Sequence, residues 1–475
     1  MNSAKTPEKH ALCVDLDGTL LNSDILYESL LSLLAKNPLF IFVVPFWLLK
    51  GKAFLKRQLA LRVSLPAETL PYNADVIALL NNTECRPRVL CSASDKLLVE
   101  PIAKHLGLFE KVIATDGTVN LSGKNKATAL SNIFGEKKFY YVGNGKVDLH
   151  VWEKSAGAWV VNNSSSLSKA AAKLTRVHAH WPAPSRFSAW LKALRLHQWL
   201  KNLLVLVPLL TAHRFLEVTA VTQAFVAFLS FGLCASGVYI LNDLLDLTPD
   251  RMHPRKRRRP FAAGRLPLLH GLVAAPLLTL AGLSLSLLCS LEFTLTLFFY
   301  YILTLAYSLR LKRIVMVDVV LLAALYTVRI IGGSMAINME LSFWLLAFSM
   351  FIFLSLALLK RYTELDAMLS SGKVKASGRG YTVEDLPLLQ SMGAAAGYIA
   401  VLVMALYINS PASIQLYQHP QLLWLICPVL LYWVSRVWIV AHRGGMHDDP
   451  IVFAATDRVS QVVAGLCVLF ILSAI

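Results

Sequence analysis

Two fold classes are expected in one chain: a parallel α/β domain at the amino-terminal end, then an all-α polytopic membrane domain of about nine transmembrane helices. Three observations carry this. Short apolar runs alternate with helical stretches between His10 and about Asn163, and long apolar stretches recur from residue 202 onward. Of 475 residues, 56% are apolar, and the mean hydropathy is positive. Such a chain is too long for one ordinary domain and too apolar to be fully soluble.

The first class rests on five strands. The runs ALCVDLD, PRVLCSAS, KVIATD, KFYYVGNG and GAWVVNN are short, apolar and bounded by turn residues, with helical stretches between them. Strands that alternate with helices form a parallel sheet. Between Pro38 and Leu61 the sequence is apolar, then basic, and interrupted by proline. It reads as a helical cap, either touching a bilayer surface or buried as an ordinary cap helix. This domain is expected to occupy residues 1–163.

Residues 164–201 open Ser-rich and then carry Trp181, Phe187, Trp190 and Trp199 among Lys192, Arg195 and Lys201. Aromatic and basic residues together suit a linker with an interfacial basic helix. The membrane domain, 202–475, has apolar stretches near 202–218, 222–241, 268–290, 293–309, 314–336, 341–359, 393–409, 420–441 and 459–475. Basic residues cluster after alternate stretches: Arg251, Arg255 through Arg259 and Arg265; then Arg310, Lys312 and Arg313; then Lys360, Arg361, Lys373, Lys375 and Arg379; then Arg443 and Arg458. The opposite loops offer little beyond Arg214. Positive loops face the cytoplasm. A multi-pass protein of the inner (cytoplasmic) membrane is therefore expected, with its amino-terminal domain and its active sites on the cytoplasmic side.

The formal net charge of +17 fits anionic lipid headgroups and phosphorylated substrates better than nucleic acid, given the interleaved apolar stretches. Seven scattered cysteines contain no C-x-x-C pair, which argues against a zinc site and against a disulfide framework. The start, MNSAKTPEKH, lacks the apolar core of a signal peptide. The sequence leaves room for a homo-oligomer.

Chemistry enters at Asn242-Asp243-Leu-Leu-Asp246-Leu-Thr-Pro-Asp250. Carboxylates three or four residues apart share one helical face, where Asp243, Asp246 and Asp250 can gather Mg²⁺ around a diphosphate; Asn242 can orient a ligand or touch the substrate. The bland reading is a solvated acidic helix end. A second polar cluster comprises Tyr307, Lys312 and Asp318, with Arg329 inside an apolar stretch. An intramembrane arginine needs a partner, and Asp318 or a substrate phosphate are the candidates beside a purely structural ion pair.

These features resemble the UbiA superfamily of intramembrane prenyltransferases, which implies a nine-span helical fold with two Asp-rich motifs over a central cavity. The second motif departs from D-x-x-x-D, since Leu322 stands where the next carboxylate is expected. That weakens an aromatic acceptor. Further local matches resemble the branch of polyprenyl-phosphate phosphoribosyltransferases: Arg195-Leu-His-Gln198-Trp199-Leu-Lys201-Asn202, His253-Pro254 through Gly264, Tyr307-Ser308 to Lys312, Arg379-Gly380-Tyr381, and Asp449-Pro450 through Asp457-Arg458. The resemblance implies that the Mg²⁺-bound diphosphate belongs to phosphoribosyl diphosphate, and that a polyprenyl phosphate in the bilayer is the nucleophile. Lys201, Asn242, Lys256, Arg259, Tyr307, Lys312, Asp318, Arg329 and Arg458 become substrate-binding candidates, although Arg255 to Arg259 serve equally well as a topology signal.

At the other end, Cys13-Val-Asp15-Leu-Asp17-Gly18-Thr19-Leu20 closes a strand and resembles motif one of the haloacid dehalogenase superfamily. The resemblance implies a Rossmann-like fold, Asp15 as the nucleophile and Asp17 as general acid and base. Ser92 would bind a phosphoryl oxygen, and Lys126, or Lys124 in its stead, would neutralise it. Mg²⁺ would be held by Asp15, Asp17, Asn144 and Asp148, with Asn144 an amide where the family has a carboxylate. Two alternatives stay open: an aromatic or quinone prenyltransferase using a polyprenyl diphosphate, and an amino-terminal half that is a docking module without catalysis.

Overall fold

The structure, a computed structural model, describes residues 10–117, 119–369, 380–446 and 449–475. The polar segment before His10, together with Lys373, Lys375 and Arg379 of the expected topology and motif assignments, lies outside the described residues. Two compact units emerge: Met1–Leu194 with Tyr239–Ala275, and Arg195–Val238 with Pro276–Ile475.

The first unit is built on β1 (Ala11–Asp15), β2 (Arg88–Asp95), β3 (Lys111–Thr115), β4 (Phe139–Gly143), β5 (Gly157–Asn163) and β6 (Arg176–Pro182), in the order β3-β2-β1-β4-β5-β6. Every neighbouring pair is parallel. The period of two sorts side chains onto two faces. Leu12, Val14, Leu90, Tyr140 and Val142 enter one core, while Cys13, Val89, Cys91, Phe139 and Tyr141 enter the other. Strand order reverses at β1, so the carboxyl ends of β1 and β4 flank the crevice where α/β sheets place ligands.

Helices fill the crossovers: α1 (Ile25–Lys36), α2 (Val44–Leu49), α3 (Lys52–Ala60) and α4 (Ala74–Asn82) between β1 and β2, then α5 (Lys96–Leu106), α6 (Lys124–Phe134), α7 (Leu149–Lys154) and α8 (Ser165–Ala172). The expected cap is present. Its apolar part is not a buried cap helix: Phe42, Phe46 and Leu49 are 70%, 65% and 84% exposed.

The sheet runs past the expected boundary at 163. Strand β6, RVHAHWP, carries polar residues and a terminal proline, so it lacks the apolar signature of the other five. Only then comes α9 (Phe187–Leu194), inside the segment expected to be an interfacial helix. The unit also takes in the acidic motif through Tyr239–Ala275.

The helices that follow are α10 (Val207–Thr211), α11 (Val218–Leu245), α12 (Leu247–Met252), α13 (Leu268–Ser286), α14 (Leu291–Leu309), α15 (Val317–Ala336), α16 (Phe343–Leu369), α17 (Leu386–Ile408), α18 (Pro411–Leu416), α19 (Ile426–His442), α20 (Pro450–Thr456) and α21 (Arg458–Ala474). Among the described residues seven helices are long and apolar enough to cross a membrane, or eight if the α20–α21 pair, bent by 76°, is one span. The expected stretch at 202–218 is not a spanning helix. It is a 3₁₀ segment, Leu196–Leu206, followed by the five residues of α10. Pro208 lacks an amide donor, and Lys201 and Asn202 bring buried polar groups into this stretch.

Candidate active sites

In the first unit the end of β1 places Asp15 in the crevice, 7% exposed. Its Oδ1 lies 2.5 Å from Lys126 Nζ, carried by α6, and Thr19 Oγ1 donates to Oδ2 at 3.4 Å. Lys126 also donates to Tyr141 Oη at 3.0 Å and to the Cys91 carbonyl at 3.4 Å. The Tyr141 hydroxyl in turn donates to Asp148 Oδ1 at 3.0 Å. Asp148 Oδ2 accepts from the backbone amides of Asn144 and Gly145 at 3.0 and 2.8 Å, which fixes the loop after β4.

Asp17 is held from both sides. Ile25 N donates to its Oδ1 at 2.8 Å, while Ser94 and Ser92 donate to its Oδ2 at 2.8 and 3.4 Å. Burial, with the charges of Asp24 and Asp15, raises the Asp17 carboxyl to about 7. Burial and the Asp15 charge raise Asp148 to about 6. For Lys126 burial acts downward, but the Asp15 and Asp148 carboxylates outweigh it and hold the ammonium charged. Gly18 adopts φ +74°, which disfavours any other residue there, and a Cβ would also force the Asn144 amide to move.

The structure thus brings Asp15, Lys126 and Asp148 together, and joins Asp17 to Ser92. Asn144 contributes its backbone amide to Asp148, with its side chain packed against Gly18. Lys124, the alternative to Lys126, is exposed at the start of α6. Tyr141 and Ser94 were not foreseen. Among the described residues no three His, Cys, Asp or Glu side chains converge as a ready-made metal cage. Mg²⁺ needs less, binding through one or two carboxylates with phosphate and water. The buried, mutually repelling Asp15 and Asp148 fit that demand.

The acidic motif straddles a break between α11 and α12 at Asp246. Asp243 and Asp250 are 1% and 3% exposed, and both contact one nitrogen of Arg259: Nη1 is 3.1 Å from Asp243 Oδ1 and 2.6 Å from Asp250 Oδ2. A guanidinium nitrogen is therefore held between two buried carboxylates, a charge pattern that a divalent cation would also meet, although among the described residues no third His, Cys, Asp or Glu side chain completes a metal cage there. Asn242 and Asp246 are half-buried beside it in sequence, and Lys256 is exposed on a 3₁₀ turn, Lys256–Arg258. Arg259, expected on a substrate phosphate, is instead paired within the motif.

The second unit has its own polar centre. Lys201 and Lys360 converge on Asp449 Oδ2 at 2.8 and 2.6 Å. Asp318 is fully buried between Arg361, 2.6 Å from Oδ2, and the Tyr381 hydroxyl, 2.7 Å from Oδ1. Arg361 also reaches Glu364 and donates to the Tyr307 hydroxyl at 3.3 Å. Of the two candidate partners for Arg329, Asp318 is taken by Arg361 instead. Arg329 donates to Asn202 Oδ1 at 3.0 Å and to Tyr300 Oη at 2.7 Å, and lies over the Tyr300 and Tyr326 rings. Lys312 is half-buried on a 3₁₀ turn, Leu311–Arg313, and Arg458 is exposed at the first turn of α21. Lys360, Arg361 and Asp449 were missed as site residues; charges at the end of a long apolar stretch were the available signal.

Residues 205–456 match the model of the UbiA prenyltransferase family. The chain belongs to this family. Among its relatives, the uncharacterized protein y4nM of Sinorhizobium fredii is 36% identical over 466 residues, 96% of this chain and 90% of the relative. Nodulation protein NoeC of Azorhizobium caulinodans is 35% identical over 285 residues, covering 59% of this chain and 92% of NoeC. A decaprenyl-phosphate phosphoribosyltransferase from Mycolicibacterium smegmatis is 30% identical over 290 residues, covering 59% of this chain and 91% of that enzyme. Within this UbiA-family protein the matched span includes the acidic motif, Asp318, Arg329, Lys360, Arg361 and Asp449, while the α/β sheet precedes it.

Proposed function

We propose that the membrane domain transfers 5-phosphoribose from phosphoribosyl diphosphate to a polyprenyl phosphate, and that the amino-terminal domain then removes the 5-phosphate. The observation that carries the first step is the commitment of Asp318. A prenyl diphosphate enzyme of the two-motif kind uses both acidic motifs, but here the lone carboxylate of the second is locked by Arg361 and Tyr381. In the same unit Lys201, Lys360 and Arg361 pair with three carboxylates, Asp318, Asp449 and Glu364, while Arg329 is held by Asn202 and Tyr300 and pairs with no carboxylate among the described residues. A surplus of positive charge suits an acceptor phosphate. The relatives named decaprenyl-phosphate phosphoribosyltransferase support the same reading.

In the transfer, a phosphate oxygen of the lipid attacks C1 of the ribose, and the C1–O bond breaks with its electron pair leaving on diphosphate. Asp243, Asp246 and Asp250 would hold Mg²⁺ there, as Asp15 and Asp148 would in the hydrolytic site. When bound, Mg²⁺ neutralises charge on the departing diphosphate and on the attacked phosphate. In the second step Asp15 attacks the 5-phosphate phosphorus, and Asp17, able to carry a proton near neutrality, gives it to the departing ribose oxygen. Asp17 next takes a proton from the water that attacks the aspartyl phosphate. Ser92 and Lys126 contact the phosphoryl oxygens. The side that we infer for both reactions is the cytoplasmic face of the inner membrane.

The test uses membranes holding the full chain, labelled phosphoribosyl diphosphate, polyprenyl phosphate and Mg²⁺, with lipid products weighed by mass spectrometry. Ribosylated lipid without the 5-phosphate is expected. Asp15→Asn should leave the phosphorylated lipid, and Asp243→Asn should lower transfer roughly hundredfold. Absence of any ribosylated lipid refutes the transferase reading, and prenylation of an aromatic ring would replace it. Retention of the 5-phosphate by the unaltered protein would make the amino-terminal domain a docking module.

A further inference from the structure

We infer that the hydrolytic site recognises a phosphodiester at C1 of its sugar phosphate, through Arg186 and Arg265, and so selects a lipid-linked phosphoribose over free ribose 5-phosphate. The inference rests on the phosphatase reading. A cavity of about 790 Å³ opens beside Asp17 within the first compact unit, a volume typical of small-ligand sites. Its walls come from the loop after β1 and the start of α1, residues 72–75 at the start of α4, Asn144 and Asn162, residues 182–186 between β6 and α9, and, as a third main wall, residues 263–270, which follow the acidic motif.

Contacts inside the unit fix that third wall to the catalytic loop. Gly264, at φ +68°, approaches so closely that a Cβ would lie 2.5 Å from the Asn22 carbonyl oxygen. Arg251 forms a buried ion pair with Glu28, 2.6 Å, and its Nε donates to the Ala262 carbonyl at 2.9 Å. At the end of β5, Asn162 Nδ2 donates to Asn22 Oδ1 at 2.8 Å and to the Gly18 carbonyl at 3.0 Å. The wall is thus part of the site and not a loop laid over it.

Two guanidinium groups line this cavity, Arg186 from the chain between β6 and α9 and Arg265 from the third main wall. Both residues are exposed, and neither forms an ion pair among the described residues. The phosphate under attack already has Asp15, Ser92 and Lys126. A second anion on the same substrate is what two further arginines can read, since a guanidinium binds two phosphate oxygens at once. Besides Asp17, two carboxylates line the cavity: Asp24, which accepts the Leu26 amide and caps α1, and Asp75, exposed at the start of α4. The proposed transfer makes a substrate with this pair of groups: a 5-phosphate and, at C1, a diester to the lipid. Phosphoribosyl diphosphate also carries an anion at C1, so the recognised group must be told apart from it by experiment.

Full-length protein in detergent with Mg²⁺ would be assayed for phosphate release from three probes. These are ribose 5-phosphate, phosphoribosyl diphosphate, and a short-chain prenyl-phosphoryl ribose 5-phosphate. The diester probe is expected to show the highest kcat/KM, and its ratio to ribose 5-phosphate should fall about tenfold in Arg265→Gln and in Arg186→Gln, with partial recovery in Arg265→Lys. Equal kcat/KM for the three probes, or an unchanged ratio in both glutamine variants, overturns this inference alone. Equal preference for phosphoribosyl diphosphate and the diester overturns its lipid-linked assignment. Failure to release phosphate from any probe overturns the phosphatase reading and this inference with it.

Discussion

Tyr141 joins Lys126 and Asp148 in the site at the end of β1, accepting from Lys126 and donating to the buried Asp148. Replacement by phenylalanine keeps the ring in its core and removes only that bridge. A buried carboxylate oxygen that loses its donor costs about 1–3 kcal/mol. Tyr141→Phe should therefore lower the melting temperature of the full chain and slow phosphate release, without changing lipid ribosylation. The two raised carboxyls make a second prediction. In the unfolded chain Asp17 and Asp148 ionise near 3.8, whereas the folded protein keeps their protons up to about 7 and 6. Unfolding then releases protons across this window, so their contribution to stability is lost as pH rises from about 4 to about 7. Thermal melts in EDTA should show a smaller loss of stability over that range in Asp17→Asn than in the unaltered protein, and Mg²⁺ should restore stability most strongly above pH 7. Asp15, Asp17 and Ser92 follow apolar strands in the sequence, and the motif resemblance pointed to Lys126 and Asp148, which α6 and the turn after β4 bring beside Asp15. Tyr141 was not legible, since a tyrosine within an apolar strand carries the signature of core.

At the scale of elements, close packing of α16, α17 and α19 depends on backbone that a side chain would push apart. A Cβ on Gly393 would lie 2.1 Å from Trp438 Cζ2, and the Gly393 carbonyl accepts from Ser355 Oγ at 2.6 Å. Trp438 Nε1 donates to the same hydroxyl at 3.1 Å, so the indole cannot simply swing away without losing its partner. Gly465 in α21 meets nothing within 4 Å. Gly393→Ala should thus cost about 1–3 kcal/mol through overpacking, whereas Gly465→Ala should be neutral or slightly stabilising. Detergent melts of the two variants provide the comparison. The five apolar strands and most long helices follow from periodicity and length. Strand β6 did not, because its polar residues are tolerated at a sheet edge, and 202–218 reads as a span only until Pro208, Lys201 and Asn202 are weighed as helix-breaking and buried polar groups.

For the molecule as a whole, sequence distance hides the contact that ties the acidic motif's segment to the α/β sheet within one compact unit. Glu28 and Arg251 are 223 residues apart, yet their side chains are only 3% and 5% exposed and paired at 2.6 Å. No periodicity announces such a pair: Arg251 belongs to a basic run that topology already accounts for, and Glu28 sits in an unremarkable amphipathic helix. The geometry makes it consequential for both sites. Arg251 follows Asp250 directly, and Glu28 accepts from Ser23 Oγ, whose backbone carbonyl receives the Gly18 amide at 2.9 Å beside Asp17. Removing one partner strands a buried charge, at about 3–5 kcal/mol, whereas removing both strands none. Arg251→Gln should lower the melting temperature and reduce lipid ribosylation and 5-phosphate removal together. Glu28→Gln should do the same, and the Glu28→Gln/Arg251→Gln double variant should be more stable than the sum of the single losses implies. Simple additivity in that cycle would mean the pair does not join the two segments; loss of one activity alone would mean that it supports one site only.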